Sequence, residues 1–103
     1  MSDYLSGKAE IQSLSATGAG NVFVPDIGRP LRCTISGTWV GSVKVQRSYD
    51  RGTTWNDMTL AGSPDAVFTG NCDELIDVPM HGSVQYRPHF TRTSGTAVVE
   101  LGH

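Results

Sequence analysis

The residues with the most specific spacing are Ser48, Asp50, Gly52, Thr54 and Trp55, in the run Ser48-Tyr49-Asp50-Arg51-Gly52-Thr53-Thr54-Trp55. The pattern is S-x-D-x-G-x-T-W. A carboxylate so placed accepts hydrogen bonds from the N–H groups of the turn that follows it, as in an Asx turn. Gly52 supplies the positive φ that a tight loop requires. Trp55 is expected to pack its ring beneath the turn, with the Ser48 and Thr54 hydroxyls closing the remaining backbone bonds. This is chemistry that staples a hairpin; it does not attack a substrate.

The pattern matches the Asp-box, which recurs in sialidases and other glycan-active propellers on blade turns away from the active site. A propeller needs several blades of about forty residues each, and this chain holds one copy of the motif, so the structural reading is preferred. Other groups offer less. Glycoside hydrolysis needs two carboxylates at a defined separation, one with a raised pKa. Asp73, Glu74 and Asp77 cluster in sequence, but Glu74 and Asp77 flank Leu75 and Ile76 in a strand-like segment and read as a solvated face. No G-x-S-x-G nucleophile elbow is present, and Ser94-Gly95 falls in an expected hairpin turn. His89 reads as an outward, surface residue opposite Tyr86 and Phe90. The expectation is a protein that is not an enzyme. His81, His89, His103, Cys33 and Cys72 lack C-x-x-C or H-x-x-x-H spacing, so neither a metal nor another cofactor is expected. The two cysteines read as free thiols, with Cys33 buried beside Leu31 and Ile35. Trp39, Tyr49 and Tyr4 could hold a sugar on exposed rings, although Trp39 reads better as a core or rim plug, because a small core needs its large rings.

The elements that must position these groups are strands. Val, Ile and Thr number 24 against 15 for Leu, Ala and Met, and no apolar helical repeat persists for three turns. Short segments alternate with period two at residues 9–14, 22–24, 31–37, 42–48, 55–60, 66–69, 74–78, 83–92 and 97–101. Residues 15–20 read as small and flexible, and Thr93-Ser94-Gly95 as the hairpin turn between the last two strands. Leu31, Cys33 and Ile35 share one face, as do Val43 and Val45, and Val84, Tyr86 and Phe90. Pro88 interrupts its strand and hints at an edge or bulge. The pattern predicts an all-β chain: a single antiparallel β-sandwich, jelly-roll or immunoglobulin-like, of about seven to nine short strands. Residues 8–103 form that domain, and residues 1–7, without periodicity, form an N-terminal arm. The net charge of −2 and the scatter of Lys8, Arg29, Arg32, Lys44, Arg47, Arg51, Arg87 and Arg92 give no basic field for nucleic acid. No apolar run exceeds three residues, so neither a membrane partner nor an export signal is expected.

The run from Gly37 to Trp55, Gly37-Thr38-Trp39-Val40-Gly41-Ser42-Val43-Lys44-Val45-Gln46-Arg47-Ser48-Tyr49-Asp50-Arg51-Gly52-Thr53-Thr54-Trp55, resembles a segment of small virion proteins of tailed bacteriophages. In that group a late Y-R strand and a T-S-G-T hairpin follow, matched here by Tyr86-Arg87 and Thr93-Ser94-Gly95-Thr96. The resemblance spans residues 31–101. It implies a non-enzymatic β-sandwich of the particle: a capsid decoration (cement) protein, or a head-fibre or spike component. The implied partners are a major capsid or other virion protein and further copies of the chain, a trimer among the possible homo-oligomers. The implied location is the virion, assembled in the host cytoplasm. No active-site residues carry over. The arm, with Ser2, Asp3, Tyr4 and Leu5 as candidate partner contacts, suits such docking. The alternative is a carbohydrate-binding or host-adhesion module whose partner is a glycan.

Overall fold

The computed structural model describes residues 9–103, so residues 1–7, with Ser2, Asp3, Tyr4 and Leu5, lie outside the described residues. The described chain is all-β and antiparallel. Its strands are β1 (Glu10–Leu14), β2 (Gly18–Ala19), β3 (Leu31–Ser48), β4 (Asn56–Asp57), β5 (Thr59–Leu60), β6 (Ser63–Pro64), β7 (Val67–Phe68), β8 (Cys72–Asp77) and β9 (Gln85–Gly102).

Two of these, β3 and β9, are 18 residues long and pair with each other from Arg32↔Gly102 to Ser48↔Gln85. Everything else hangs on this ribbon. At one end β1 joins β9 and β8 joins β3, giving the order β1-β9-β3-β8. At the other end β2 pairs with β9, while β4 and β7 pair with β3. β5 and β6 form a separate small ribbon. The apolar faces of both ends close on one core in a sandwich-like arrangement: Leu31, Cys33, Ile35, Val99 and Leu101 from one, Val43, Val45, Tyr86 and Phe90 from the other.

The expected hairpin at Thr93-Ser94-Gly95 is not a hairpin; these residues lie inside β9. Likewise 31–37 and 42–48 are one strand. The physical reason is a β-bulge. The register steps from Gly41↔Arg92 to Val40↔Ser94, leaving Thr93 as the extra residue. Side chains in a strand alternate with period two, so one extra residue exchanges the faces. Tyr86, Pro88 and Phe90 point inward before the bulge, and Ala97, Val99 and Leu101 after it. Glycines permit the close approach there. A Cβ on Gly41 would overlap the Thr91 carbonyl oxygen, and one on Gly95 the Thr38 carbonyl oxygen; both glycines have positive φ, 143° and 79°. The turn residues were real signals, but they mark a bend shared by two strands.

Smaller differences have local causes. The expected strand 55–60 breaks at Met58, which turns into the core at 2% exposure and separates β4 from β5. Residues 22–24 contribute only a bridge from Phe23 to Tyr86, and the segment read as flexible, 15–20, contains β2. Pro88 sits opposite Val45, whose N–H donates to the Ala66 carbonyl on the far side at 3.0 Å. That pair is therefore one where β3 and β9 exchange no hydrogen bonds, so the missing N–H of Pro88 costs the ladder nothing.

Candidate functional site

The end of β3 delivers Ser48 into the turn fully buried. Its Oγ accepts from the Gly52 N–H at 2.8 Å and the Asp50 N–H at 3.3 Å, and donates to Asp50 Oδ1 at 2.7 Å. Asp50 Oδ1 also accepts from the Thr54 N–H at 2.8 Å. These donors, Thr54 N–H first and the Ser48 hydroxyl second, hold the Asp50 carboxyl at about 2, below the ordinary carboxylate value. Arg51 and Gly52 both take positive φ, 58° and 90°. Trp55 is half-buried; its ring lies against Gly52 and carries the Arg87 guanidinium 4.5 Å from its centroid. Ser48, Asp50, Gly52, Thr54 and Trp55 are thus brought together in one turn, and the hydroxyl and carboxylate contacts named here bind either the backbone of that turn or each other.

A second cluster lies beside it. Asp77, at the end of β8, accepts from Arg47 Nη1 at 3.0 Å and from the Tyr86 hydroxyl at 2.7 Å, both on Oδ2, while Oδ1 accepts from the Val78 N–H at 2.9 Å. Burial, with the hydrogen bond to Asp77 second, pushes the Tyr86 phenol well above its ordinary range, so Tyr86 stays protonated and acts as a donor. The reading of Asp77 as part of a solvated face is therefore wrong: Glu74 is exposed, but Asp77 is half-buried and ties β8 to both long strands. Arg47 also lies over the Tyr49 ring, 5.1 Å from its centroid, and Tyr49 meets the His81 ring edge-on at 5.3 Å. Tyr49, Asp77, Val78, Met80 and His81 line an open groove of about 320 Å³. The gathering of Arg47, His81 and Met80 around Tyr49 and Asp77 is not among the sequence expectations. The one available signal was Tyr86, an inward phenol that needs a partner for its hydroxyl.

The remaining candidates separate. Trp39 is packed on the core against the edge of Phe90, and its Nε1 donates to Asn71 Oδ1 at 2.8 Å; it is a rim plug. His89, read as a surface residue, is half-buried, and its Nδ1 is shielded with no hydrogen-bond partner. Cys33 is buried and reduced, as expected, and Cys72 is a free thiol at its side. Burial first, and then the neighbouring Cys72, pushes the Cys33 thiol up to about 12, so it is neither a nucleophile nor a ready ligand. Among the described residues no three His, Cys, Asp or Glu side chains gather as a metal site would require. No protein-family model matches the sequence, and no curated protein or solved structure is significantly similar to it.

Proposed function

We propose that the chain is a structural, non-catalytic protein of a tailed-phage particle, docking on the capsid surface as a decoration or cement protein. One observation carries the reading. The residues on which the phage resemblance rests are consumed by the framework: Thr38 pairs with Thr96, Trp39 with Gly95, Gln46 with Arg87 and Arg47 with Tyr86, and the rest of the block is the stapled turn. The shared pattern is therefore that of a scaffold whose long ribbon and tight turn must be preserved, as expected of a protein that works by presenting surface. Leu75, Met80, Leu60 and Ile11 are each more than 60% exposed, on separate elements. Docking on a symmetric shell multiplies a modest interface by many copies.

The test is occupancy. Heads of the parent phage made without the protein should bind added purified chain to saturation, read by sedimentation and gel densitometry. Heads that take up none overturn the capsid reading. The glycan-binding alternative draws on Tyr49, which is half-exposed at the edge of its groove. Arg47 already lies over that ring and His81 packs edge-on against it, so a sugar would compete with both. A glycan array bound by the chain, with no binding to heads, would favour that alternative.

A further inference from the structure

The β5–β6 hairpin stands apart from the rest of the sheet. Among the described strands its two members pair only with each other. Its base is fixed: Met58 and Ala66 are buried on either side of it, and the Asp65 N–H donates to the Met58 carbonyl at 3.0 Å. Beyond that base every residue from Thr59 to Pro64 is exposed, Leu60 at 71%. The two turn residues, Ala61 and Gly62, take positive φ, 52° and 85°, as a two-residue hairpin turn requires. Alanine is a poor residue for that conformation, and strands of two residues are marginal in water without a surface to lie on. The hairpin nonetheless holds a leucine out into solvent.

Beside the hairpin's base lies an open groove of about 360 Å³ between β7 and β8, lined by Pro64, Ala66, Phe68, Glu74 and Ile76 among others. Phe68 and Ile76 are half-buried against the core and bring apolar surface to the groove. Glu74 and Ile76 are two apart on β8, so they share a face, the one that also carries Cys72. The Glu74 side chain is exposed and makes no hydrogen bond or ion pair with the described residues. The acids Asp65 and Glu74 line this groove, and no cation does.

We infer that the groove takes the β5–β6 hairpin of a second copy of this chain, in a two-fold dimer where each hairpin seats in the other's groove. Leu60 and Ser63 stand directly opposite in the hairpin ladder and so share one face. That face matches the face of β8 it meets: Leu60 covers Phe68 and Ile76, and the Ser63 hydroxyl donates to the Glu74 carboxylate. The hairpin Thr59-Leu60-Ala61-Gly62-Ser63-Pro64 carries no charge, so it enters an acidic groove without repulsion. Pairing β8 with β8 of another copy would instead set Asp73, Glu74 and Asp77 beside the same acids, a like-charge contact. The hairpin does not fill the groove of its own chain, because Leu60 stays exposed there. Pro64 belongs to both hairpin and groove, so the two patches are contiguous and one two-fold axis beside it forms both contacts at once. The dimer goes beyond the capsid reading and does not depend on it.

Light scattering on a sizing column should give twice the chain mass for the intact protein. Leu60→Asp, which puts a charge on the apolar contact, and Ser63→Asp, which sets a carboxylate against Glu74, should each give the mass of one chain. Both positions are exposed, so the circular dichroism of these variants should match that of the parent. Adding Glu74→Lys to Ser63→Asp replaces repulsion by attraction and should restore the dimer. Ser63→Cys and Glu74→Cys, prepared separately with Cys72→Ser and one of them mass-tagged, should form a covalent heterodimer on mild oxidation after mixing. A monomeric intact chain, a dimer that survives both aspartate substitutions, a charge swap that does not restore it, or a mixture without the heterodimer overturns the inference.

Discussion

Replacing Ser48 with alanine removes one oxygen from the inside of the turn and leaves its shape otherwise intact. The Ser48 side chain is fully buried, so alanine fits without clash. Its Oγ is the acceptor for the Gly52 N–H at 2.8 Å, and that donor loses its partner. A donor left unsatisfied away from water costs about 1–3 kcal/mol. The bond to Asp50 is also lost, but Asp50 is exposed and water replaces that donor. Taking about 2 kcal/mol as the central value, and about 4–8 °C of melting temperature per kcal/mol for a domain of this size, the expected drop is about 8–16 °C. The assay is thermal unfolding followed by circular dichroism at pH 7. Thr53→Ala is the control, since its side chain is exposed and surface changes of this kind usually stay within ±0.5 kcal/mol. A Ser48→Ala shift no larger than the control's refutes the account of a turn held from within by a buried hydroxyl.

The Asp50 carboxyl has its folded pKa lowered from an ordinary 3.8 to about 2, so its stabilisation is present above the ordinary value and is lost as pH falls through the folded one. Melting temperature should therefore fall between pH 4 and pH 2, and Asp50→Asn should flatten that part of the profile. Gly41→Ala forces a Cβ into the Thr91 carbonyl oxygen at φ 143° and should lower stability by at least the ~1–3 kcal/mol of a strained backbone, measured by denaturant unfolding. Gly70→Ala, with nothing within 4 Å of its Cβ position, should not. In native protein Cys72 should react with a thiol reagent before Cys33, and unfolding without reductant should release both; a missing thiol would mean a disulfide.

Strand content and inward faces were legible because they follow from local alternation. Leu31, Cys33, Ile35, Val43, Val45, Tyr86 and Phe90 all occupy the side of the strand that their period assigns. Strand length was not legible. Gly37, Gly41 and Gly95 look like ends of strands because glycine and its small neighbours usually mark turns. Here they mark the place where two strands bend together and their backbones nearly touch, a fact set by the partner strand more than fifty residues away. A glycine needed for close approach and a glycine needed for a turn are the same letter.

The same distinction separates the two polar clusters. Asp50 finds its donors at Ser48 and Thr54, within four residues, so its spacing alone describes its hydrogen bonds. Asp77 finds Arg47 thirty residues earlier and Tyr86 nine residues later, on the two strands of the long ribbon. Neither spacing has a pattern, so the carboxylate looked solvated until β8 was placed against β3. Surface follows the same rule. Leu75 and Ile76 read as a short apolar pair among acids in the sequence, and Leu75 stands exposed in the fold, on a strand that pairs with β3 alone among the described strands. Which edges lie open is decided by where short strands such as β7 stop, and a strand of two residues leaves almost no trace in alternation. The strongest motif in the sequence, Ser48 to Trp55, closes a turn of the framework, while the exposed edge of β8 leaves the weaker signal.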